Sequence, residues 1–217
     1  MRFGKSKDII YALLKESLSG ENCPQCYLLV KQKERWFESL LYEHVNNPGL
    51  REKIRNLGFC TKHLWDLLNY SERNLIDGLG LSIILQDILK NELANLLKTG
   101  QVHVEWGSKC ILCESLAESD KGYSESFAIW ITEKEFSEFY KESSSIFCMD
   151  HLKALFEGLD EKNRTFILSV QLAKLEKLNQ NLESFIRKFD YNVKEKKTHE
   201  EAEARRKTIN VLKGNGY

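Results

Sequence analysis

Proline is scarce: the 217 residues include only two. A chain so poor in helix breakers and rich in Leu, Glu and Lys favours helix throughout. Net charge is missing as well, with 32 basic residues balanced by 32 acidic ones. Without a basic footprint, neither a nucleic-acid partner nor an acidic membrane surface is expected. No apolar run reaches the ~18 residues of a transmembrane helix. Arg2, Lys5 and Lys7 precede a short apolar run from Ile9 to Leu14. That run is too short for a signal core, and no small-residue cleavage site follows it. The expected compartment is cytoplasmic. Phosphate-cradling GxxxxGK[ST] and GxGxxG loops, the HExxH helix and the GxSxG elbow are all absent, so no catalytic or cofactor-binding residue is assigned and no substrate is named.

What the chain does have is cysteine in a repeated pattern. Cys23-Pro24-Gln25-Cys26 is followed by Cys60-Thr61-Lys62-His63; then Cys110-Ile111-Leu112-Cys113 is followed by Cys148-Met149-Asp150-His151. Cys26 and Cys60 lie 34 positions apart, and Cys113 and Cys148 lie 35 apart. The CxxC pairs repeat at an offset of 87 and the CxxH pairs at 88, which marks an internal duplication. All six cysteines are used. A CxxC turn can place two sulfurs roughly 3.7 Å apart, one edge of a tetrahedron around zinc, and a CxxH pair supplies the opposite edge.

Each half therefore offers a closed Cys3His set, the pattern of structural zinc. The expected first site is Cys23, Cys26, Cys60 and His63; the second is Cys110, Cys113, Cys148 and His151. Equal spacing in both copies favours ligation within each half, while cross-half ligation stays open. Disulfides suit small secreted chains and leave the matched histidines unexplained. A redox dithiol at the CPxC turn lacks the strand–helix alternation of thioredoxin-like proteins. An iron–sulfur cluster remains the alternative to two zinc ions.

Hydrophobic spacing fills in the rest. Helices are expected over 8–18, 24–45 and 50–57, with a break at Asn46 to Gly49 and Gly58 closing the third. Cys60 and His63 open the next helix, since positions three apart share a face. A long apolar stripe covers 73–98 with Gly78 and Gly80 inside it. Val102 to Trp106 alternates like a short strand or linker. In the second copy Ser119 to Gly122 interrupts the helix, which resumes over 126–139. A second long stripe covers 163–188, and the two stripes are expected to pack on each other. Thr198 and Glu201 form a capping box for a terminal helix that docks through Ile209, Val211 and Leu212. His44, His103 and His199 read as surface or structural residues; Trp36, Trp65, Trp106 and Trp130 read as core; Phe59 and Phe147 shield the metal.

The CPxC turn, the Gly58-to-His63 segment, the second CxxC and FCxxH set and the Phe189-Asp190-Tyr191 triplet together resemble a family of uncharacterised prokaryotic proteins. The resemblance covers most of the chain, with Ile111 standing where Pro24 does in the first copy. It implies a cytoplasmic helical metal-binding protein and carries over no activity. The expected fold is all-α and internally duplicated. Residues 1–100 and 101–190 form similar helical subdomains, each pinned by a CxxC…CxxH site; 191–217 form a charged linker and terminal helix. A binding or scaffold role with a protein partner is expected, the alternative being a redox- or metal-responsive protein.

Overall fold

The computed structural model describes residues 9–74, 78–101 and 109–214. The alternating segment 102–106, with His103 and Trp106, lies outside the described residues. Among those described there are ten α-helices and no strand. They are α1 (Ile9–Ser17), α2 (Pro24–Glu38), α3 (Pro48–Leu57), α4 (Thr61–Asn74), α5 (Leu79–Thr99), α6 (Ile111–Trp130), α7 (Lys134–Glu142), α8 (Met149–Glu157), α9 (Glu161–Arg187) and α10 (His199–Lys213). α2 runs on into a π-helical turn, Ser39–Glu43, where His44 N–H donates to Ser39 O at 2.9 Å.

The local chemistry of the helix ends follows general rules. Asn47 caps α3 through its side chain, with Pro48 in the first turn where no backbone donor is needed. Thr198 and Glu201 form the expected capping box on α10. Several boundaries differ from expectation: α3 begins at Pro48 rather than at 50, and the helix expected over 126–139 is broken between Trp130 and Lys134. Gly78, in the left-handed region at φ 59°, heads α5, so the helix begins at Leu79 rather than at Arg73, which belongs to α4. The expected interruption at Ser119 to Gly122 does not occur, and α6 runs through it unbroken. Leu112, Leu116 and Phe127 lie buried along one face there, and the Ser119 hydroxyl returns a hydrogen bond to Ser115 O at 3.0 Å.

The chain divides into two compact units that do not coincide with its two sequence copies. Unit 1 comprises Met1–Leu29 and Asp120–Tyr217; unit 2 comprises Val30–Ser119. In unit 1 an aromatic core gathers Tyr11 against Trp130, centroids 4.7 Å apart, and Phe147 between Phe127 and Tyr140 at 5.2 and 5.5 Å. Gln171 on α9, fully buried, accepts from Tyr140 Oη at 2.8 Å and donates to Phe147 O at 2.7 Å. Lys174, one turn on, donates to Tyr140 O and Ser145 O at 2.7 and 2.8 Å. Together they fix the segment that leads into Cys148.

The terminal helix is docked. α10 packs mainly on α9 and also touches α8. Val211 is buried as expected, but Ile209 and Leu212 are 63% and 53% exposed. Docking rests instead on Ala204, Val211 and the Lys188–Glu201 ion pair at 2.8 Å, with both side chains over 90% buried.

In unit 2, α5 packs against α3, the π-helical turn and α4. Arg51 and Arg55 on α3 each reach Asp87 on α5 at 2.8 Å, and Lys33 on α2 reaches Asp66 on α4 at 2.7 Å. Phe59 sits buried with Trp36 edge-on at 5.8 Å. Trp130 is buried, whereas Trp65 is 61% exposed and belongs to the surface. Within its own unit each long helix has a partner, α9 in α10 and α5 in α3.

Two predictions follow from this packing. A Cβ at Gly80 would stand 2.3 Å from Leu41 O, while one at Gly122 meets nothing within 4 Å. Gly80→Ala should lower unfolding free energy by about 1–3 kcal/mol, as overpacking does. Gly122→Ala in mid-helix should raise it by about 0.5–1 kcal/mol. Urea denaturation measures both, and effects of the same sign would contradict the packing.

The second concerns pH. Hydrogen bonds from Lys188, Ser184 and the Thr198 backbone hold the Glu201 carboxyl down at about 2. A depressed carboxyl contributes stability that is present above its ordinary 4.5 and is lost as pH falls through about 2. Protection of the α10 amides against hydrogen exchange should therefore fall as pH drops through that window, and Glu201→Gln should flatten the dependence. Superimposable pH profiles for the two proteins would exclude this contribution.

Candidate metal centres

All four ligand pairs occupy one kind of position. Cys23, Cys60, Cys110 and Cys148 each stand immediately before a helix, α2, α4, α6 and α8. Their carbonyls accept the first helical bonds, from Tyr27, Leu64, Glu114 and Leu152 at 2.8–3.1 Å. The second ligand of each pair, Cys26, His63, Cys113 or His151, is the third residue of the helix. A cysteine thus stands at each N-cap, where Ser, Thr, Asp and Asn usually supply the capping oxygen. Cys113 N–H points at Cys110 Sγ at 3.5 Å, the sulfur analogue of that bond. The unsatisfied N–H groups and the positive end of the helix dipole favour a thiolate there.

The pairs combine across the halves. Cys23, Cys26, Cys148 and His151 form one cluster; Cys60, His63, Cys110 and Cys113 form the other, with one donor atom per residue and all within 4.8 Å of each other. Ligation within each half, the favoured expectation, is therefore corrected: each cluster takes its CxxC from one copy and its CxxH from the other. The reason lies in the helices. α2 begins at the first CxxC and leads the chain away by ~22 Å over its fifteen residues. α6, with twenty, leads it ~30 Å away from the second. The CxxH that meets each of these helix starts comes from the other copy.

In the first cluster, wholly in unit 1, His151 Nδ1 lies 3.3 Å from Cys23 Sγ, 3.3 Å from Cys26 Sγ and 3.2 Å from Cys148 Sγ. Cys26 and Cys148 sulfurs are 3.8 Å apart. In the second, wholly in unit 2, His63 Nδ1 lies 3.3 Å from both Cys110 and Cys113 Sγ, and Cys60 and Cys113 sulfurs are 3.8 Å apart. A tetrahedron with ligand bonds of about 2.3 Å to sulfur and 2.0–2.1 Å to nitrogen has edges of about 3.8 and 3.5 Å. Both donor sets therefore fit a single four-coordinate ion, and both clusters can hold a metal.

Their surroundings differ. All four residues of the first cluster are buried. His151 Nε2 faces Asp120 Oδ1 at 3.1 Å, and that oxygen also accepts from Gln25 Nε2 at 2.6 Å. Gln25 Nε2 further approaches Ser124 Oγ at 2.6 Å. This is a carboxylate–histidine–metal arrangement, in which the outer carboxylate fixes the ring and its tautomer. Gly214, ending α10 at φ 73°, comes so close that a Cβ there would lie 3.3 Å from Cys26 Sγ.

In the second cluster Cys113 is exposed and Cys60 half-buried. His63 Nε2 is buried and has no partner among the described residues.

The electrostatics follow. Burial opposes charge on His151, but Asp120, Cys148 and Cys26 outweigh it and push its pKa up to about 12. Burial pushes the Cys23 thiol up, with Cys148 and Cys26 adding to the effect, while hydrogen bonds from Cys23 and Cys26 hold Cys148 far below the usual thiol range. The cluster favours positive charge at its centre, which a divalent cation supplies while keeping every sulfur deprotonated. His63 moves the other way, pulled down by burial and then by Lys62 and Lys33.

All eight expected ligands are thus brought together, four and four. Asp120, Gln25 and Ser124 are not among the residues the sequence singles out, because Asp120 falls within the expected helix break at Ser119 to Gly122. The available signal was a charged residue in register with Leu112, Leu116 and Phe127 on an apolar helix face. His44 and His199 are exposed and belong to neither cluster. Among the described residues no helix is long and apolar enough to cross a membrane.

Comparison with known proteins agrees with the duplication. An uncharacterised 23.9 kDa protein from the xynA 3′ region of Caldicellulosiruptor sp. (strain Rt8B.4) is 26% identical over 181 residues, covering 81% of this chain and 86% of that protein. No solved structure matches the chain. One family profile matches twice, over residues 10–107 and 94–217. The chain belongs to that family, the family of unknown function DUF6062.

Proposed function

We propose that this is a cytoplasmic protein with two structural zinc ions, acting as a scaffold for a protein partner. The observation that carries the reading is the pair of closed Cys3His tetrahedra at helix N-termini. Four protein ligands leave no position for water or substrate, which distinguishes structural from catalytic zinc. Donor atoms within 4.8 Å of one another favour one ion over a multi-iron cluster. Reduced cysteines as zinc ligands suit a reducing compartment. The neutral charge balance, 32 against 32, favours a protein partner over nucleic acid.

The ions would act as crosslinks. Cys26 and Cys148 are separated by 122 positions, Cys60 and Cys113 by 53. Chain-entropy arguments give about 4–5 kcal/mol for closing loops of such length.

Elemental analysis of anaerobically purified protein should find two zinc per chain, with no visible absorption band. Iron with acid-labile sulfide, or neither metal, would sink the reading. Paired substitutions test the ligation pattern. Cys26→Ser with Cys148→Ser should remove one equivalent, because both serve one site. Cys26→Ser with Cys60→Ser should remove both equivalents. The reverse outcome would restore ligation within each half.

A further inference from the structure

We propose that the unit 2 cluster is a peroxide-responsive modification site: Cys113 is oxidised first, closes a disulfide with Cys60, and the cluster gives up its metal while the unit 1 cluster keeps its own. This rests on the metal reading above and adds a reactivity to one of the two sites.

The two clusters share ligand set, helix position and edge lengths, so the differences between them decide reactivity. Cys23, Cys26 and Cys148 are buried, and the Gly214 backbone lies against Cys26 Sγ. An oxidant must displace packed structure to reach them. Cys113 is exposed, and Cys60 is half-buried beside it with the sulfurs 3.8 Å apart. The second difference lies in the histidines. His151 is held by Asp120 at 3.1 Å, and Asp120 in turn by Gln25. His63 Nε2 has no such acceptor among the described residues. Loss of an outer-shell partner weakens metal retention by about 10–100-fold. Access and weaker retention therefore fall on the same cluster.

The chemistry balances with a hydroperoxide as oxidant. The Cys113 thiolate attacks one peroxide oxygen; the S–O bond forms, the O–O bond breaks, and the departing hydroxide is protonated to water. The Cys60 thiolate then attacks Cys113 Sγ; the S–S bond forms, the S–O bond breaks, and a second hydroxide leaves to be protonated. In sum, two thiolates, one peroxide and two protons give one disulfide and two waters. Two of the three anionic ligands are consumed, leaving Cys110 and His63. The disulfide keeps the starts of α4 and α6 joined as the metal departs.

The experiment uses full-length protein loaded with two zinc, treated with hydrogen peroxide in the presence of a chromogenic zinc chelator, and mapped by mass spectrometry. One equivalent should appear about 10-fold or more faster than the other. At that point the map should show a Cys60–Cys113 disulfide with Cys23, Cys26 and Cys148 still reduced. The Cys26→Ser, Cys148→Ser protein should lose its single zinc at the fast rate, and the Cys60→Ser, Cys113→Ser protein should retain its own. The wild-type map stands even if a variant fails to fold. Equal release rates, or first oxidation in the unit 1 cluster, would overturn this inference and leave two-zinc binding intact. A starting protein that cannot be loaded with two zinc would instead overturn the metal reading beneath it.

Discussion

A cysteine at the N-cap of a helix is the constraint from which the rest of this structure follows. At such a position the sulfur faces backbone N–H groups that would otherwise lack partners, and the helix dipole favours its anionic form. Placing the second ligand at the third helical residue turns it to the same side. One helix start thereby becomes half of a tetrahedron, and it needs a second helix start to complete it. α2 meets α8 in this way and α4 meets α6. The segments just ahead of these helices are correspondingly well held. Gly58, at φ 69°, ends α3 two residues before Cys60, and its carbonyl accepts from Ile111 N–H at 3.1 Å beside Cys110. Gln171 and Lys174 brace the residues ahead of Cys148.

This chemistry also explains which parts of the structure were legible in the sequence. Ligand identity is local: CxxC and CxxH at helical spacing name the eight residues without any tertiary information. The Thr198 capping box is local too, so its position is legible in the sequence. Pairing is not local. Nearly equal gaps of 34 and 35 positions make neighbours along the chain look like partners, because a count of residues does not reveal which helix starts meet in space. The same blindness affected α6. Ser119, Asp120 and Gly122 are poor helix formers, and propensity read them as a break. Burial of Leu112, Leu116 and Phe127 on one face overrode that preference, as tertiary packing commonly does. Once the helix continues, Asp120 lies on its inner face and reaches His151.

The docked terminal helix shows how one unit can be finished by residues remote from its metal ligands. α10 contributes few large apolar contacts, and its more hydrophobic end leaves Ile209 and Leu212 largely exposed. A buried ion pair at its start and Gly214 at its end define its position. The pair Lys188 and Glu201 is oriented by three further bonds, from Ser184, from the Thr198 backbone and onto the Lys196 carbonyl. Such a satisfied network contributes to a specific seat more than to raw stability, since desolvation offsets much of the attraction. Gly214 needs its left-handed φ to turn the chain there, and a side chain would press on Cys26 Sγ. The helix is thereby placed so that the first cluster is covered.

The duplication acquires a physical meaning from the crossed ligation. Each sequence copy contains one CxxC and one CxxH, yet neither cluster uses both pairs from one copy. In this geometry a single copy supplies only two ligands to either cluster. Two copies are the smallest set that completes either cluster, and they then complete both. The compact units record the same exchange: unit 1 joins residues 1–29 to 120–217, and unit 2 is the stretch between them. With metal bound at both clusters, the inner crosslink would lie wholly within the loop closed by the outer one. Forming it first would shorten the free chain that the outer site must close, so the entropy opposing the longer closure would fall. Nesting of this kind would make the unit 2 cluster an aid to closing the unit 1 cluster, even though the two share no ligand.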